Sequence, residues 1–167
     1  KMSRVESHVN WCLNKAKKEL ENSKKHRGLV EVDSDIDRAK DHLEKAKHNF
    51  KAIKYFDLGG FSDWSISAAF YSVYHCFLAI LAKFGYESRN QTCTMALIES
   101  LKEDGKISLD KKFIDMLKPD SGEGHFKVIE MREEYTYGLE IAAQEADIKN
   151  LMRTCRDLLD KTKNIIY

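Results

Sequence analysis

Two short stretches of this 167-residue chain combine residue types that can act on an anion or a proton. The first is Phe70-Tyr71-Ser72-Val73-Tyr74-His75-Cys76, where Tyr71, Tyr74, His75 and Leu78 fall at i, i+3, i+4 and i+7 and so share one helix face. The imidazole of His75 either lines a cleft and moves a proton near neutral pH, or is a core group hydrogen-bonded to a neighbouring helix. The second stretch is Met131-Arg132-Glu133-Glu134-Tyr135-Thr136-Tyr137-Gly138. Arg132 falls on the apolar stripe of its helix, three residues before Tyr135, where a guanidinium needs a carboxylate or a phosphate. Either Glu130, Glu134 or a core acid neutralises it, or it receives an anionic ligand. Tyr137 stands five positions further, about 140° around a regular helix. The two side chains therefore meet only if the helix unwinds near Gly138 or a second subunit supplies one of them.

Other chemistries are missing from the sequence. There is no G-x-x-x-x-G-K-[ST] and no G-x-G-x-x-G to cradle phosphates, and no H-E-x-x-H. A di-iron bundle would need Glu-x-x-His pairs, and His42 with Glu44 lacks that spacing. No metal and no cofactor are expected. Cys12, Cys76, Cys93 and Cys155 are far apart, form no C-x-x-C pair and read as reduced core residues.

The elements that must position these groups are helical nearly throughout. With 43% hydrophobic and 33% charged residues the chain reads as one globular domain, residues 1–167, and a formal charge of +1 gives no long-range pull on nucleic acid or membrane. The most apolar stretch, Ala68 to Phe84, contains Ser72, His75 and Lys83, falls short of a bilayer span and reads as a buried central helix. No membrane association is expected. No basic region followed by an apolar stretch and a small-residue cleavage site is read near residue 1, and a cytoplasmic location is expected.

Helical spacing predicts a first helix over Ser3–Lys25 with Val5, Val9, Cys12, Ala16 and Leu20 on one stripe, ended by Gly28. A second carries Ile36, Ala39, Leu43, Ala46, Phe50 and Ile53 behind an acidic cap at 33–35 and breaks at Gly59-Gly60. A third starts at Ser62 or Asp63 as cap and ends near Gly85. Others are expected over Gln91–Glu103, from a Ser108 cap to Leu117, over Phe126–Ile141, and from Ala146 onward. Pro119 to Gly124 reads as a loop. No segment shows strand alternation. The expected fold is all-α: an up-and-down four-helix bundle over residues 36–166 with additional short helices, and an added N-terminal helix over residues 1–30.

The two chemical stretches, in this order, resemble the HEPN family of small helical proteins. Its members show Ala-x-Tyr-x-x-x-His followed by an apolar run ending in Lys-x-Gly, here Ala69 to His75 and then Leu81 to Gly85. Later they show an arginine, a spacer and Asp-Tyr-Gly, or an arginine, four to six intervening residues and histidine, and here the counterpart is Arg132 to Gly138. The resemblance covers about residues 36–166. It implies a bundle that dimerises and brings two arginine motifs together at a cleft, and a metal-independent ribonuclease of toxin–antitoxin type. In such an enzyme the arginine binds the scissile phosphate and the histidine assists the ribose hydroxyl.

This chain has tyrosine at 137, a side chain that donates a hydrogen bond but is a poor base at neutral pH. His125 precedes Arg132, and Thr136 replaces the acid. The resemblance therefore implies a homodimer that binds RNA or a nucleotide with cleavage weak or lost. Arg132 would sit on phosphate, Tyr137, Tyr135 and Tyr71 would line the ligand, and His75 would orient or protonate it. A second function class stays open: a non-catalytic module that pairs with a nucleotidyltransferase or another antitoxin partner, with Arg132 as a structural ion-pair residue.

Overall fold

The computed structural model describes residues 1–23, 25–119 and 127–167. Of the loop expected over Pro119 to Gly124, residues 120–124 lie outside the described residues, as do His125 and Phe126. Within them the order is α1 Arg4–Asn22, β1 Leu29–Glu31, α2 Ile36–Leu58, α3 Ser62–Lys83, β2 Tyr86–Ser88, α4 Gln91–Glu103, α5 Lys111–Asp115, α6 Val128–Tyr137 and α7 Glu145–Ile166. The molecule is an all-α bundle with one small antiparallel ribbon.

The core follows from α3. Fourteen of its 22 residues are buried, which makes it a central helix covered by α2, α7, α6 and α4. It is long and apolar enough to cross a membrane by length and composition, longer than its apolar run predicted. Its burial among other helices accounts for that composition. Against α2 the contact is close because small residues face each other. Ser65 Oγ donates to the Ile53 carbonyl at 2.7 Å and Ser72 Oγ to the Ala46 carbonyl at 2.9 Å. Each serine satisfies its hydroxyl while letting the backbones approach.

Side-chain caps open three of the helices, α1, α2 and α4. Asp35 accepts from Arg38 N–H and Asn90 from Cys93 N–H, opening α2 and α4 where the sequence places them. Ser62 does not cap α3 with its side chain. Phe61 precedes the helix, and Ser62 Oγ instead accepts from Ala143 N–H at 2.8 Å, tying the start of α3 to the α6–α7 connection. Ser108 is exposed and no cap either; the short α5 begins after Asp110. Gly85, at φ +81°, leaves α3 in the left-handed region, and any side chain there would press on the Val32 carbonyl.

Two larger features also depart from the sequence reading. The first is the ribbon, with Leu29 opposite Ser88, Val30 opposite Glu87 and Glu31 opposite Tyr86. Three-residue strands are too short to show alternation. The second is Cys12–Cys93, which is a disulfide between α1 and α4 with 5.8 Å between Cα atoms, not a pair of free thiols. Their 81-residue separation hides the pairing in sequence, and only the packing of α1 on α4 brings them together. Cys76 and Cys155 are free and buried, as expected. Burial pushes the Cys76 thiol up to about 12, eased slightly by a hydrogen bond to Thr162, so it is inert at neutral pH.

Because Phe77 is fully buried in α3, Phe77→Ala is expected to destabilise the domain by about 3–5 kcal/mol. Urea denaturation followed by circular dichroism measures this; a loss below about 1 kcal/mol would show that α3 is not the core.

Candidate functional site

Arg132 is positioned by α6, a ten-residue helix that lies against α3. Val128, fully buried, anchors its first turn, and Met131 and Tyr135 pack on the core from the same side. Arg132 shares that side. Its guanidinium carbon sits 4.2 Å from the centroid of the Phe70 ring on α3. The ring is itself fixed: Phe70 is 4% exposed, Tyr74 stacks on it at 6.2 Å, and Tyr71 meets it edge-on at 5.1 Å. Tyr74 in turn reaches Thr94 on α4 through its hydroxyl at 3.4 Å. Burial pushes the Tyr74 phenol up, so it stays protonated.

No carboxylate among the described residues pairs with Arg132, and its Nε is buried without a hydrogen-bond partner. The acids that the sequence offered as partners, Glu130 and Glu134, do not take it; Glu130 pairs with Lys127 at 3.7 Å. A face-on aromatic ring contributes about 0.5–2 kcal/mol to a cation. An unpaired buried donor costs about 1–3 kcal/mol, so the ring alone does not satisfy the group. An acceptor entering the seam would.

The tyrosines fall in different places. Tyr71 is 45% exposed beside Phe70, on the open side of α3. Tyr135 is half-buried, and its phenol is pushed up by burial first and then by the negative charges of Asp147, Glu134 and Glu140. Those acids do not favour phosphate at that end of α6. Tyr137 is the last residue of α6 and is 81% exposed. The helix is regular up to it, so it points about 140° away from Arg132. Helix α6 stops three turns in, shorter than expected, because Gly138 turns extended; a side chain there would collide with the Glu134 carbonyl. Leu139, which continues the helical spacing of Val128, Met131 and Tyr135, lies beyond the helix and is exposed.

His75 belongs to another flank of α3. Its Nδ1 lies 3.1 Å from Nδ1 of His42 on α2, with ring centroids 5.3 Å apart. At that distance one nitrogen carries the proton and the other accepts. Residue 75 follows residue 70 by about 7.5 Å and about 140° on a regular helix. Among the described residues no hydrogen bond or ring contact joins His75 to Arg132. His42 is the residue that sequence reasoning missed as a partner. It sits between Ala39 and Leu43 at the edge of the buried stripe of α2, and only the register of α2 on α3 reveals the pair.

Two surface depressions lie away from this seam. One of about 410 Å³ is lined by Lys83, Lys106, Ser108, Lys161 and Asn164, and one of about 280 Å³ by Asp110, Lys112, Asp157 and Asp160 among others. Both are lined by residues from the C-terminal half of α7, the first also by Lys83 at the end of α3, and neither includes Arg132 or Phe70.

Burial, then the charges of His75 and Arg38, pull His42 down to about 4 from 6.5, against a smaller upward pull from Asp41. His75 is lowered too, by burial and then by Lys45. The unfolded chain accepts the His42 proton between 6.5 and about 4 and the folded chain refuses it. Stability should therefore fall as pH drops through that window. Melting temperature against pH checks this: the slope between those values is expected to flatten in His42→Asn, and an unchanged slope would refute the pairing's role.

Residues 39–165 match the family model of the HEPN domain, leaving α1 and β1 outside the match. No curated protein matches the chain.

Proposed function

The chain belongs to the HEPN family, and from that membership and the surroundings of Arg132 we propose that it binds the phosphate of RNA or of a nucleotide at the seam of α3 and α6. One observation carries the reading: a half-buried guanidinium is held on an aromatic face, with a dry, unpartnered Nε–H and no carboxylate in attendance. A phosphate oxygen supplies the missing acceptor, and a planar guanidinium suits it better than an ammonium would. Tyr71, exposed next to Phe70, offers a ring for a base to stack on.

Tyr137 points away from Arg132 of its own chain and out to solvent, which suits a homodimer in which each chain presents Tyr137 to its partner's Arg132. With tyrosine in place of the motif histidine, and His75 engaged by His42, cleavage is slow or absent. Binding is then the principal activity.

A second reading has its own support. Tyr137, Leu139 and Ile141 are 79–97% exposed, and Leu58, Phe61 and Trp64 at the α2–α3 turn are more than half exposed. The Ala143–Ser62 hydrogen bond brings the two groups to one end of the molecule. Apolar surface of this kind fits a protein partner, such as a nucleotidyltransferase, better than RNA.

Fluorescence anisotropy with a short single-stranded RNA, in EDTA, separates the two. Arg132→Ala is expected to weaken binding roughly 10- to 100-fold and to shallow its salt dependence. Arg132→Lys should recover only part of the loss. Product analysis in the same buffer should show cleavage near background in both. Affinity unchanged by Arg132→Ala would reject the anion site and favour the interaction module.

A further inference from the structure

The cysteine pair that fastens α1 to α4 is accompanied by a group that a disulfide does not need. His8 stands one turn before Cys12 on α1, and its ring nitrogen and both sulfurs lie within 4.8 Å of one another. The imidazole makes no hydrogen bond among the described residues; its ring leans on Trp11 with 6.2 Å between centroids. Cys12 and Cys93 are fully buried, while His8 is only half-buried, so the cluster has a dry side and a wet side. Cys93 also occupies the first turn of α4, where the helix N-terminus favours a thiolate.

We propose that in the reduced protein His8, Cys12 and Cys93 form a zinc-type metal site, with water as the fourth ligand. A dithiol gives two electrons and two protons to the disulfide and is itself oxidised, leaving two thiols on the protein. The divalent cation then displaces both thiol protons and binds two thiolates and a neutral imidazole. Two thiolates cancel its charge, so the buried seam holds no net charge. Bonds of about 2.3 Å to sulfur set tetrahedral corners about 3.8 Å apart, inside the span the three groups already have. With the cysteine Cα atoms 5.8 Å apart, rotation of side chains suffices to part the sulfurs.

The fold gives such a clamp something to do. Over 19 residues α1 buries only Val9, Cys12 and Ala16, and Trp11 and Leu20 remain exposed. Three small side chains are a thin attachment, and α1 lies outside the family match. A disulfide in the oxidised protein and a metal in the reduced one hold the same helix in the same place. The sequence expectation of no metal rested on Glu/His spacings within helices. A His-x-x-x-Cys turn completed by a cysteine 81 residues away lies outside those spacings.

The test is cobalt(II) titration of tag-free protein, reduced with a phosphine under nitrogen and compared with the same protein kept disulfide-bonded. Reduced wild type is expected to bind one cobalt per chain, with thiolate-to-metal charge-transfer absorption that zinc abolishes. His8→Ala should bind at least about tenfold more weakly, and Cys93→Ser should lose the site. The disulfide-bonded wild type should bind none, and that comparison needs no substitution and so no assumption about folding of a variant. Absence of charge-transfer absorption in the reduced wild type overturns the proposal. So does undiminished binding in His8→Ala or in the disulfide-bonded protein.

Discussion

A guanidinium taken partly out of water and given a benzene ring in place of a carboxylate is an unfinished interaction, and the rest of this bundle is arranged to keep it so. Phe70 cannot turn away, because Tyr74 stacks on it and is itself tied to α4 through Thr94. Helix α6 cannot slide, because Val128 is sunk in the core at its first turn. The nearby acid Glu130 is engaged by Lys127. Each of these contacts is ordinary. Together they hold Arg132 where an anion can be met at little reorganisation cost, which is the condition for strong charge-assisted hydrogen bonding.

The same helix separates this anion-seeking group from its proton-handling one. Phe70 and His75 are five residues apart on α3, so they face α6 and α2 respectively. A single chain thus presents a cation on one flank and a paired, largely neutral imidazole on another. Phosphoryl transfer needs both at one reacting phosphate. Their separation within the protomer agrees with a domain whose main act is holding its ligand, and it makes any cleavage depend on what a second chain contributes.

Much of this was legible before any coordinates. The apolar density around Phe70 to Leu81 marked α3 as central. The helix expected over Gln91–Glu103 is α4, and Arg132 stood out as a cation on an apolar stripe. What stayed hidden depended on long-range packing. The absence of an acid partner for Arg132, the His42–His75 contact and the Cys12–Cys93 bond each require two distant elements in register. Local context also misled. Leu139 continued a helical spacing that Gly138 cuts off, and Ser62 had the chemistry of a cap but spends it on Ala143.

The unpartnered Arg132 Nε–H has its own signal. Two-dimensional 1H–15N spectra of the arginine side chains, with the Arg132 Nε–H identified by its disappearance in Arg132→Lys, can be followed as a short single-stranded RNA is added. A saturable downfield shift of that resonance is expected, larger than for the exposed arginines Arg4 and Arg153. An Nε–H that stays put while RNA binds elsewhere, or that is already shifted and inert in the free protein, would contradict an anion site at Arg132.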